Sequence, residues 1–93
     1  MNIQPGDRVL GDRFIKNLES RLSEVQFSSI SVTAVLGDQE AFRFATQIMN
    51  YLVDKGYEAG GVLQAVFNQP VGPQVIQSPD ENGVLKIIIG GRR

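Results

Sequence analysis

Residues 39–55 constrain the fold of this chain more than any other stretch. Ala41, Phe42, Ala45, Ile48, Met49, Leu52 and Val53 recur at helical spacing, while Gln39, Glu40, Arg43, Gln47, Asn50 and Asp54 fall away from that stripe. This is the pattern of a helix with one face in a core. Both ends are marked. Asp38 can accept from the free N–H groups, Glu40 stands in the first turn, Lys55 in the last, and Gly56 can take the left-handed stop. On either side lie runs rich in β-branched residues, Ile30–Leu36 and Val62–Asn68. Two strands joined through one helix pair most simply in parallel, by a right-handed crossover.

The flanks are less regular but readable. Asp12 is a suitable N-cap for an earlier helix, in which Phe14, Ile15, Leu18, Leu22 and Val25 fall at helical spacing and Ser28-Ser29 ends the segment. Ile15, Leu18, Leu22 and Val25 also follow a coiled-coil seam, but two heptads are too few to build one and core packing explains the same stripe. In Ile30–Leu36 the alternation sets Ile30, Val32, Ala34 and Leu36 against Ser31, Thr33 and Val35, so both faces can be covered, as in a central strand. Pro70, Gly72 and Pro73 break the chain after the second strand, Gln74–Gln77 forms a short strand, and Asn82-Gly83 signals a turn. Val84–Ile89 is the last strand, apolar except for Lys86, which reads as a snorkelling side chain or a gatekeeper against edge pairing. The expected fold is a two-layer α/β sandwich of order α-β-α-β-(β)-β. Its mixed sheet has three or four strands, with Ile30–Leu36 near the centre and two helices on it. Residues 1–11, with Pro5, Gly6 and Gly11, read as a flexible lead-in, and residues 12–93 as one domain.

Composition then removes function classes. A chain of 93 residues without cysteine or histidine has no disulfide framework, no thiolate nucleophile, no Cys-ligated metal and no imidazole base. Nine basic and ten acidic side chains, interspersed, give no electrostatic reason to expect nucleic acid or an anionic membrane as partner. No apolar run approaches a membrane span and Met1–Gly6 lacks a signal-peptide pattern, so the default compartment is the cytoplasm.

Four candidate sites remain, each beside a plainer reading. Leu36-Gly37-Asp38 is a strand-to-helix turn where open α/β sheets place ligands, but Asp38 and Glu40 already meet the positive helix end and no phosphate-binding glycine motif is present. Asp38 with Glu40, and Asp80 with Glu81, point to different faces or to solvent, where carboxylates keep ordinary pKa values and catalyse little. The serines have no histidine partner and no Ser-x-x-Lys is present. In Gly90-Gly91-Arg92-Arg93 the glycines read as a strand end fraying into solvent. Loops 56–61 and 69–73 can present Tyr57, Phe67, Pro70 and Val71 as a recognition surface, although Tyr57 and Phe67 can equally close the core.

The run Gly37-Asp38-Gln39-Glu40-Ala41-Phe42-Arg43-Phe44-Ala45-Thr46-Gln47-Ile48, followed by Leu52 and Gly56-Tyr57, resembles a pattern of uncharacterised bacterial small α/β domains. In these a strand ends in Gly-Asp, an Ala/Phe-rich helix follows, and many sit after membrane helices. The resemblance implies the same α/β fold, a parent that can be membrane-anchored, and no activity. The expectation is a non-catalytic interaction or sensory domain that can self-associate through the apolar sheet edge or the first helix, with Ile15, Leu18, Leu22 and Tyr57 as contact residues. The alternative is a small-ligand domain, for an anion or nucleotide, or an enzyme subunit, using Gly37, Asp38 and Gln39. No cofactor, metal or nucleic acid is expected, and no membrane contact within this chain.

Overall fold

The computed structural model describes residues 7–91. Along the chain stand α1 (Asp12–Glu24), β1 (Ser29–Val35), α2 (Gln39–Asp54), β2 (Leu63–Ala65), β3 (Gln74–Gln77) and β4 (Val84–Ile89). They form a two-layer α/β sandwich. The sheet order is β2-β1-β4-β3, with β1 parallel to both β2 and β4 and β3 antiparallel to β4. The β1-α2-β2 crossover and the central place of β1 are as the sequence implied.

Alternation decides which sheet face is covered. Ile30, Val32 and Ala34 of β1 and Leu85, Ile87 and Ile89 of β4 form one cluster with Leu18, Leu22, Ala41, Phe44, Ala45, Ile48, Met49 and Leu52 of the helices. Burying each large apolar side chain contributes about 1.5–3 kcal/mol relative to leaving it in water. Leu18, Ile48, Leu52, Leu85, Ile87 and Ile89 are fully buried. On the opposite face, Ser31 pairs with Lys86 and Thr33 with Ile88. Among the described residues no helix lies there, so β1 is central in the sheet yet covered by helices on one side only.

Local details differ from expectation in instructive ways. Gly11, not Asp12, is the N-cap of α1, without a side-chain cap, and Asp12 is the first helical residue. In α2 the buried rows run through Glu40, Phe44, Ile48 and Leu52 and through Ala41, Ala45 and Met49. Phe42 and Val53, expected in the apolar stripe, are 38% and 53% exposed. The helix is rotated toward the row of Phe44, Ile48 and Leu52, and Glu40 at the start of that row is buried with its carboxylate paired to Arg8. Gly56 does end α2, with φ +89, and Gly83 takes the Asn-Gly turn with φ +80, where the Asp80 carboxylate accepts from the N–H groups of Asn82 and Val84 at 2.9 and 3.1 Å. The second strand shrinks from Val62–Asn68 to Leu63–Ala65, since it has a neighbour on one side only.

Three further expectations are corrected by packing. Of the lead-in expected over residues 1–11, residues 1–6 lie outside the described residues, but Asp7, Arg8 and Leu10 are tied to α2 by hydrogen bonds. Lys86 guards no edge, because β4 lies between β1 and β3; it stands on the uncovered face, 3.8 Å from Asp80. Gly90 does not fray: it is buried, and a Cβ there would overlap the carbonyl oxygens of Val71 and Gly72. Arg92 and Arg93 lie outside the described residues.

Candidate interaction surface

The C-terminal ends of β1 and β4 are where an open α/β sheet usually takes a ligand. Here that end is occupied by the chain itself. The Arg8 guanidinium donates from Nη2 and Nε to the two oxygens of Glu40 at 2.8 and 3.0 Å. It also donates to the carbonyl of Gly90 at 2.7 Å and that of Pro73 at 2.9 Å, and it lies 4.7 Å over the Phe44 ring. Next to it, Arg43 forks onto Asp7 at 2.7 and 3.0 Å. Bidentate pairing of this kind matches guanidinium geometry to carboxylate geometry. The segment before α1 is thereby clamped across the N-terminus of α2.

Gly37, Asp38 and Gln39 lie beside this clamp, in a cleft of about 540 Å³ shared with Leu36, Phe42, Arg43 and Gln64. Asp38 accepts from the Ala41 N–H at 2.9 Å. The helix end is capped by its own carboxylate, and the cation in the cleft, Arg43, is held by Asp7.

Two further acidic groups, Glu19 and Asp80, also have structural partners. Glu19 on α1 accepts from the hydroxyls of both Tyr51 and Tyr57, the latter at 3.0 Å. These bonds to Glu19, reinforced by burial, push the Tyr51 hydroxyl up to about 12 and raise that of Tyr57. Backbone N–H groups, that of Val84 first, hold the Asp80 carboxyl below its ordinary value. Among the described residues no group of three or more acidic side chains is placed to hold a metal ion.

Of the residues expected to make protein contacts, Leu18 and Leu22 are core residues, at 0% and 6% exposure. Ile15 and Tyr57 are half-buried, with the Tyr57 ring 6.1 Å from that of Phe27. The stripe of α1 thus serves the sandwich. The two loops expected to share a surface are also apart in role, for Phe67, Pro70 and Val71 line a cleft of about 470 Å³ with Val75 and Ile88, without Tyr57.

Exposed apolar groups gather instead at the β2 edge. Among the described residues six large apolar side chains stand out as exposed, and four of them, Leu36, Phe42, Leu63 and Val66, belong to β2, to its continuation or to the cleft that contains Gln64 of β2. No family model, curated protein or solved structure matches the chain. The surface must therefore be judged on its own chemistry.

That chemistry is an open ladder. Ala65 pairs with Val35, and its carbonyl accepts from the Leu36 N–H at 2.8 Å. A residue in a parallel ladder directs both backbone groups to the same neighbour and the next residue directs them the other way, so the N–H and C=O of Gln64 face outward. A sign of this surface was present in the sequence but is not a motif: residues 59–79, which include both outer strands, contain no charged side chain. The clamps made by Arg8, Arg21 and Arg43 left no comparable sign, because each joins residues more than thirty positions apart.

Proposed function

We propose that this chain is a non-catalytic interaction domain that binds protein through the β2 edge. The observation that carries this reading is the concentration of exposed apolar side chains, Leu63 at 58% and Val66 at 76% among them, beside backbone groups of Gln64 that face away from the sheet. An edge of this kind accepts an added strand: main-chain bonds supply affinity and alternate side chains supply selectivity. Half of the ten acidic groups support the same reading, since Glu19, Glu40, Asp7, Asp38 and Asp80 are each engaged in a helix cap, an ion pair, a turn or a phenol contact. A cytoplasmic setting and kinship with the bacterial small α/β domains belong to this proposal. No helix among the described residues is long and apolar enough to cross a membrane.

The test is a titration of the isotope-labelled protein with a peptide carrying residues 61–67 and flanking lysines for solubility. Amide shifts confined to residues 62–66 support the reading, and an unchanged spectrum at saturating peptide overturns it. The second reading, an anion or nucleotide in the cleft at Gly37, Asp38 and Gln39, has the cleft's volume in its favour. A panel of nucleotides and sugar phosphates that moves the amides of residues 37–40 would establish it in place of the first.

A further inference from the structure

We infer that the occupant of the β2 edge is a second copy of this chain, paired antiparallel through Val62–Val66 about a two-fold axis at Gln64. This rests on the reading above and names its partner. The segment Val62-Leu63-Gln64-Ala65-Val66 is nearly palindromic in character around Gln64. In an isologous contact each residue i meets j and j meets i. With Gln64 opposite Gln64 of the partner subunit, Leu63 meets Ala65 on the uncovered face and Val62 meets Val66 on the helical face. Every apolar side chain finds an apolar one, large against small on one face and equal sizes on the other, and the two carboxamides can bond to each other.

The backbone supports the same register. Gln64 directs its N–H and C=O outward, as a hydrogen-bonded antiparallel pair on the axis requires. Charge supports it as well. Like charges facing across a two-fold axis repel, and residues 59–79 contain none. The opposite edge has one of its outward groups already engaged. The Gly90 N–H donates to the Pro73 carbonyl at 3.1 Å, so by alternation Ile76 turns its carbonyl outward, and Arg21 of α1 donates to that carbonyl at 3.3 Å. Pairing through β2 joins two sheets into one and places the exposed Phe42 of each subunit above the new junction, on the helical side where it already shares a cleft with Gln64. The contact is a short ladder, so the dimer is of the weak, concentration-dependent class.

A chain without cysteine allows a clean test on the whole protein. Gln64→Cys places two thiols opposite each other on the axis, at the Cα separation of about 5.5 Å of a hydrogen-bonded pair, within disulfide reach. Under mild oxidation it should cross-link to near completion, while Gln74→Cys, exposed on β3, stays largely monomeric. Sedimentation across a concentration series should show a dimer that Leu63→Lys removes with the amide spectrum of the folded monomer retained. A wild-type monomer at every concentration overturns the inference, as does a dimer that survives Leu63→Lys or cross-links through Gln74→Cys. If the peptide of residues 61–67 still shifts β2 amides in such a monomer, self-pairing has failed and the edge remains a docking site. If it does not, both readings fall.

Discussion

The two outer strands of this sheet are built alike and protected differently. Both are short, uncharged and hydrogen-bonded on one side. Along β3, Pro73 precedes the strand with no N–H to offer, and the outward carbonyl of Ile76 is bound by Arg21. Along β2 no side chain among the described residues performs that service, and Leu63 and Val66 stand exposed. Unpaired edges invite pairing, and proteins commonly blunt them with charge. Among the described residues one cation, Arg21, is bonded to the outward backbone of β3 and none to that of β2, which is the difference that the proposed binding through β2 rests on.

The strongest way to break the comparison is to remove the clamp at the start of β3. Arg8→Ala leaves Glu40, at 6% exposure, buried without its guanidinium. Deleting one partner of a buried pair costs about 3–5 kcal/mol, so denaturant midpoints should fall steeply. Arg8→Lys should recover little, because a point charge cannot reproduce the fork onto Glu40 together with the bonds to Gly90 and Pro73. Next comes Arg21→Ala, which uncaps Ile76. A lost hydrogen bond of this type costs about 1 kcal/mol, and the distinguishing readout is faster amide exchange along Gln74–Gln77 with new self-association through β3. If Arg21→Ala changes neither, the protection assigned to Arg21 is wrong.

A third test loosens the element that carries Arg21. Tyr51 and Tyr57 have raised values through Glu19, so both folded and unfolded chains keep those protons below the ordinary tyrosine value of about 10, and the contribution is fully present there. It is lost as pH rises from about 10, where the unfolded chain ionises first, to about 12. Stability against pH should stay flat to the lower limit and then decline, and Glu19→Gln should flatten that decline, because it brings the folded tyrosine values back toward the unfolded one. The smallest stability effect belongs to β2. Leu63→Lys should change monomer stability by no more than about 0.5 kcal/mol, as for a surface substitution, while removing the dimer. A large loss of stability there would show that β2 supports the fold and is not an edge kept for binding.

Much of this architecture was legible in order of residues. The period of α2, its Asp38 cap and Gly56 stop, the parallel crossover, the short strand Gln74–Gln77 and the Asn-Gly turn all depend on contacts within a few residues of one another. The candidate site was less so. Gly37, Asp38 and Gln39, offered as a ligand site, line a cleft, and the expectation of an apolar edge did not say which edge. Leu18 and Leu22 were offered as contact residues, yet a stripe at helical spacing looks the same whether it meets a partner or the protein's own sheet. Phe44 was missed and Phe42 misplaced because Glu40, an acidic residue, turned out to belong to the buried row.

By itself, the sequence determined the elements, the parallel unit at the centre and the absence of thiol and imidazole chemistry, since these follow from local spacing and residue type. Only the tertiary structure decided which edge is bare. Arg8 meets Glu40, Arg21 meets Ile76 and Arg43 meets Asp7 across long stretches of chain, and no local pattern encodes such a meeting. A charge is a guard or a bystander according to which carbonyl or carboxylate the fold brings within hydrogen-bonding distance of it.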